Sequence, residues 1–211
     1  MKFSPFSYYR LLPLTAAVSL SAAILPVTAH AAMYYDNARQ TLATYTMDEP
    51  HWYAGANIGV SHLFDKPAPG SGNSVNENGP GFNVNAGYQF NSMFGAEGGY
   101  NHYHNSRETT AATNVAQTEH YAVYLAATGK YPLANKISAI GKLGASYNYA
   151  NKIFNAGPAG GAQSVSPYYG VGLSYSLTQK IDFLGQWSRS LGNHITGSED
   201  LYAIGIAVAL V

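Results

Sequence analysis

The sequence predicts an all-β fold: an eight-stranded antiparallel up-and-down transmembrane β-barrel. Three observations carry it. The first is alternation. From Gly81 to Phe90, residues Phe82, Val84, Ala86, Tyr88 and Phe90 fall on one parity, and Asn83, Asn85, Gly87 and Gln89 on the other. A period of two is the strand period. The polar parity carries Asn, Gln and Gly rather than Lys, Glu and Thr, which suits a confined lumen better than bulk water. The second is composition. Only 10% of residues are charged, against 13% aromatic, with 18 Tyr, 22 Gly and no Cys in 211 residues. The third is the rhythm of connections, which alternate long and short as barrel strands do when every second turn lies on the same side of a membrane.

Residues 1–31 read as a cleaved secretory signal peptide. Lys2 and Arg10 precede an apolar run from Leu11 to Val27, and Ala29-His30-Ala31 makes a small-x-small cleavage site. Its removal leaves 9 Lys and Arg against 11 Asp and Glu, a net charge of −2. That balance gives no sign of nucleic-acid binding. Residues 32–50 read as a short periplasmic N-terminal segment, and 51–211 as the outer-membrane barrel. No later stretch has the ~20 continuous apolar residues of a spanning helix. Strands therefore have to cross, and they have to close, because lipid cannot satisfy an open sheet edge.

Strand one spans about Trp52 to Phe64, with Trp52, Ala54, Ala56, Ile58 and Val60 outward. A Pro-, Gly- and Asn-rich loop covers 65–80. Gly81 to Tyr103 is a hairpin with a turn at Asn91 to Met93. A polar loop covers 105–117. Strand four runs from about Glu119 to Tyr131, and a short turn spans Pro132 to Asn135. Strand five covers about Lys136 to Tyr149, and a Gly-, Ala- and Asn-rich loop 150–164. Strand six covers about Ser166 to Leu177, a short turn Thr178 to Lys180, and strand seven about Ile181 to Ser190. A fourth loop covers 191–200, and strand eight ends the chain from Leu201. Aromatic residues sort by depth. Trp52, Tyr88, Phe90, Phe94, Tyr131 and Phe183 lie near the short turns, while Phe64, Phe82, Tyr100, Tyr121, Tyr147, Tyr149, Tyr169, Trp187 and Tyr202 lie near the long loops. Two such belts mark the two membrane interfaces.

Residues 52–211 resemble the transmembrane domain of OmpA-type outer-membrane proteins. The resemblance rests on FGAEGGYNHY (94–103), AVYLAATGKYPL (122–133), IGKLG (140–144) and VSPYYGVGLSYSLT (165–178), in order and at matching spacing. It implies an outer-membrane location, contact with outer-membrane lipid and lipopolysaccharide, and delivery to the barrel-assembly machinery. It also implies a lumen with a ladder of acidic and basic side chains that can gate. Glu97 matches the acidic member on strand three and Lys142 a basic member on strand five. Thr128, Ser174 and Leu184 stand where the family carries charges, and Gln186 replaces an acid, so the ladder is partly kept. The family often adds a peptidoglycan-binding domain, which the chain, ending at Val211, is expected to lack. Its barrels usually end in an aromatic residue, where this chain has Ala-Leu-Val.

Glu97, Lys130 and Lys142 share inward parity and form the candidate charge cluster. An eight-stranded barrel is filled by its own side chains, and a carboxylate there has to find a cation. A static salt-bridged core is favoured over a gate. Asp182 shares the inward parity near the short turns. His102 and His104 point outward and His120 inward, so the three imidazoles are expected to form no metal site. His104, Ser106 and Glu108 resemble the His-x-Ser plus Glu chemistry of barrel lipid A deacylases, but lie in a polar loop with no oxyanion donor in view. No phosphate or dinucleotide fingerprint is present, and no cofactor is expected. The sequence points to a non-enzymatic barrel with a structural and surface-interaction role. Its loops 65–80, 105–117, 150–164 and 191–200 would be open to surface ligands. A small gated pore is the second reading and a lipid-modifying enzyme the third.

Overall fold

Ten antiparallel strands make up the computed structural model, which describes residues 50–64, 72–110, 113–154, 160–193 and 196–210. They are β1 (His51–Leu63), β2 (Ser74–Asn76), β3 (Asn78–Gln89), β4 (Phe94–His102), β5 (Ser106–Thr110), β6 (Thr113–Ala134), β7 (Ile137–Phe154), β8 (Gly160–Ser176), β9 (Ile181–Ser190) and β10 (Glu199–Leu210). Eight of them close a ring in the order β1-β3-β4-β6-β7-β8-β9-β10. The first and last strands seal it, from Trp52↔Leu210 to Leu63↔Glu199. Closure leaves no edge strand in the membrane. The signal peptide expected at 1–31 and almost all of the segment at 32–50 lie outside the described residues.

Burial follows parity along every wall strand. On β3, Asn83, Asn85 and Gly87 are buried while Phe82, Val84 and Ala86 are exposed. The interior is polar and the exterior apolar, the reverse of a water-soluble core. Ile58, Leu125 and Leu143 are about 70% exposed (70%, 68% and 69%), whereas Asn101 and Asn148 are fully buried. Large aliphatic side chains so exposed are stable only against hydrocarbon. Exposed aromatics bracket this band: Trp52, Phe90, Phe94, Tyr131 and Phe183 at the short-turn end, and Phe64, Phe82, Tyr147 and Tyr202 at the long-loop end.

The four long connections are shorter than the sequence suggests. Loop 65–80 contains β2 and the start of β3, and loop 105–117 contains β5 and the start of β6. Loop 150–164 loses both its ends to β7 and β8, and loop 191–200 its last two residues to β10. The reason is physical. Beyond the bilayer a strand needs no apolar face, and the β6–β7 ladder continues to Ala116↔Phe154 on backbone hydrogen bonds and β-favouring Thr, Val and Ile. Alternation of hydrophobicity stops there, but pairing does not. Pro132 is likewise inside β6, opposite Ser138 beside a register shift, which accommodates its missing N–H.

Candidate functional site

The lumen is the candidate site, and its centre is Glu97. Inward parity on β4 places it at mid-height with 3% exposure. Three donors from three other strands meet it. Tyr53 of β1 donates its hydroxyl to Oε2 at 3.0 Å, and Tyr124 of β6 donates to Oε1 at 2.6 Å. Lys142 of β7 donates Nζ to the same Oε1 at 2.6 Å. Such a carboxylate is fully satisfied, as burial demands. Two glycines make room for the rings: a Cβ at Gly87 would lie 2.5 Å from the Tyr53 ring, and one at Gly99 2.6 Å from Tyr124. The Tyr124 ring then stacks on Tyr168 of β8 at 4.2 Å, passing over the intervening β7.

On the long-loop side of Glu97 the lumen is filled by amides. Asn57 donates to Asn83 at 2.8 Å, and Asn83 donates to Asn101 at 2.8 Å. Asn101 donates to the Tyr103 hydroxyl at 3.0 Å, which meets Ser190 Oγ at 3.1 Å. The chain runs from β1 through β3 and β4 to β9. Leu63, Tyr103, Ala122, Leu201 and Ala203 then form an apolar layer. On the short-turn side, Lys130 pairs with Asp182 at 2.6 Å, both about one-quarter exposed. A cavity of about 110 Å³ opens there and ends at Glu97 and Lys142.

The expected cluster thus divides. Glu97 and Lys142 meet, while Lys130 turns to Asp182, the acid nearest its own level. Thr128, Ser174 and Leu184, at the positions where the family carries charges, are buried and neutral.

Above the apolar layer lies an arrangement that the sequence did not reveal. His120 of β6 directs Nδ1 at Glu199 Oε1, 3.1 Å away, and its Nε2 lies 3.4 Å from Ser106 Oγ. The order is that of a nucleophile, a base and an orienting acid. Ser106 is 3% exposed and His120 and Glu199 are 1% exposed, so all three side chains are buried. The trio joins β5, β6 and β10 and fastens the mouth. The serine expected beside His104 and Glu108 sits here instead. Glu108 pairs with Lys152 at 2.6 Å and accepts from Asn73 at 2.6 Å, and the His104 ring lies on Gly79. Residues 120 and 199 are 79 positions apart, so only the closure of β10 onto β1 makes them neighbours. His102 stacks on Phe82 at 5.1 Å. Among the described residues no group of three His, Cys, Asp or Glu is placed to hold a metal ion.

The outer rim carries two more features. Arg189 donates from Nε and Nη2 to the two oxygens of Asp200 at 2.5 and 2.6 Å, and its guanidinium lies 4.8 Å from the Phe64 ring centre. His104 follows the end of β4, beyond the aromatic belt. Burial lowers its pKa below the ordinary value, helped by the charges of Arg107 and His120.

Residues 47–209 match the family model described as OmpA-like transmembrane domain. Outer membrane protein A of Salmonella typhi is 29% identical over 161 residues, covering 72% of this chain and 45% of that protein. Outer membrane protein A of Serratia marcescens is 31% identical over 152 residues, covering 66% of this chain and 42% of that one. The chain therefore spans less than half the length of these relatives. Among solved structures, Neisserial surface protein A aligns with a TM-score of 0.56 at 16% identity, over 75% of this chain and 97% of that one. OprG from Pseudomonas aeruginosa aligns with a TM-score of 0.56 at 14% identity, over 79% and 98%. These structural likenesses concern the fold alone.

Proposed function

The chain belongs to the family of OmpA-like transmembrane domains and is a β-barrel of the Gram-negative outer membrane, and from that premise we propose that it is a non-enzymatic envelope protein. It stabilises the outer membrane and presents its long-loop end to surface partners, as an adhesin or receptor does. One observation carries the reading: side chains fill the lumen from Glu97 to Glu199. The Tyr53–Glu97–Lys142–Tyr124 group, the asparagine chain and the apolar layer succeed one another along the lumen. A protein built this way works with its two ends and its outer wall. The burial of Ser106 supports the non-enzymatic side of the reading.

The short-turn cavity supports a second reading, a small gated pore. It brings solvent to Glu97 and Lys142, so breaking one ion pair would shorten the barrier. Cells lacking the protein separate the two. Complementation with wild type and with a Glu97→Gln/Lys142→Met double variant is expected to restore detergent resistance equally. Restoration by wild type alone would favour the pore. Lipid A analysed by mass spectrometry is expected to be identical with and without the protein, and a missing acyl chain would overturn the non-enzymatic reading.

A further inference from the structure

We propose that the short-turn end of the lumen is a blind pocket that binds a small aliphatic monocarboxylate from the periplasmic side. Residue size builds the hollow. Neighbouring walls send Tyr53, Glu97, Lys130 and Lys142 into the lumen, while β10 offers only Ala207 and Ala209. The space left, about 110 Å³, takes roughly eight water-sized groups. Ile140 of β7 and Leu184 of β9 also line it. With the two alanines they form an apolar part of the wall.

Three observations choose the occupant. The first is a surplus of donors. An ammonium has three N–H donors. Lys142 spends one on Glu97 Oε1 and Lys130 one on Asp182 Oδ2, both at 2.6 Å, and neither has another acceptor among the described residues. Lys142 is buried and lines the cavity, so an acceptor for its remaining donors has to come from within it. The second is position. Lys142 lies opposite Thr128, two residues from Lys130 on β6. The two lysines are therefore diagonal neighbours on the inner face, within reach of a single carboxylate. The third is charge. Lys130, Lys142 and Lys180 line the cavity against Glu97 and Asp182. Lys180 makes no ion pair among the described residues, so with His51 neutral the surplus is one positive charge. A monocarboxylate balances it. A phosphate monoester would exceed it, and the ammonium of an amino acid would stand among three lysines. The alkyl body of the acid meets Ile140, Leu184 and the alanines.

The pocket adds a ligand to the envelope role and needs only the closed barrel. The test titrates the refolded chain in phosphatidylcholine nanodiscs with 4-methylvalerate, read by saturation-transfer NMR against empty nanodiscs. Saturable binding to wild type is expected. Leucine, the same skeleton with an ammonium, and the neutral 4-methylvaleramide should each bind at least tenfold more weakly. Lys130→Met should weaken binding about tenfold, the worth of one charge-assisted hydrogen bond. Ala207→Leu, which fills the hollow and leaves every charge in place, should abolish it. Arg107→Gln, at the opposite end, should leave it unchanged. Equal binding of the amide or of leucine would overturn the proposal. So would binding that survives Ala207→Leu or Lys130→Met undiminished, or no binding to wild type. Heat-dependent migration on gels checks assembly of each variant, and Ala209→Leu repeats the steric arm at a second residue. A wild-type chain that fails the gel test would sink the barrel itself rather than the pocket.

Discussion

Glu97 is the residue on which the lumen centres, because three donors converge on it. Glu97→Ala leaves Lys142 buried and unpaired, which is expected to cost about 3–5 kcal/mol of stability. Adding Lys142→Met should recover much of that loss, since an apolar pair of similar volume removes the stranded charge. Urea unfolding in lipid vesicles measures both, and an additive double variant would contradict the pairing. Gly99 is a second sensitive point. Gly99→Val sets a Cβ 2.6 Å from the Tyr124 ring, and should destabilise the barrel by about 1–3 kcal/mol of overpacking in the same assay. His104 sets a pH response. Its folded pKa is depressed, so the unfolded chain takes up a proton first as pH falls. Its contribution is therefore whole above the ordinary value of 6.5 and is lost as pH drops from there through the folded pKa. His104→Gln should flatten that part of the stability profile, and an unchanged profile would show that burial of the ring is not felt.

At the scale of the element, β6 and β7 extend past the aromatic belt, with β5 paired to the outer end of β6 and β8 to that of β7. Their ladder is continuous from Ala127↔Leu143 to Ala116↔Phe154. Amides on this extension are expected to exchange with solvent water more slowly than those of residues 191–193, which lie outside any strand. Hydrogen exchange read by mass spectrometry decides it, and equal exchange would reduce the extension to a loop. Strands in the membrane were legible because lipid on one side and a lumen on the other force alternation. Trp52 to Val60 and Phe82 to Phe90 show it without a miss. The extensions at 113–118 and 150–154 were not legible, since water on the outside imposes no pattern on Asn, Thr and Lys. Pro132 misled in the other direction, because a proline reads as a turn while a strand-end irregularity absorbs it.

At the scale of the whole molecule, parity alone placed Glu97, Lys130 and Lys142 in the lumen. Which of them meet depended on height within the barrel, and parity does not encode height. Lys130 went to Asp182 for that reason. The His120–Glu199–Ser106 group depends on closure of β10 onto β1 and on the fold of the crown, and no local spacing announces it. A closed ring of eight strands should resist detergent, so unheated samples are expected to migrate differently from boiled ones on gels. A lumen filled in this way should be shut to ions. Single-channel recording of the refolded chain in planar bilayers is the direct measurement. Wild type is expected to give no discrete conductance, because the charge group, the asparagine chain and the apolar layer block the path in series. Reproducible conductance steps in wild type that change in amplitude or frequency with Glu97→Ala would contradict it.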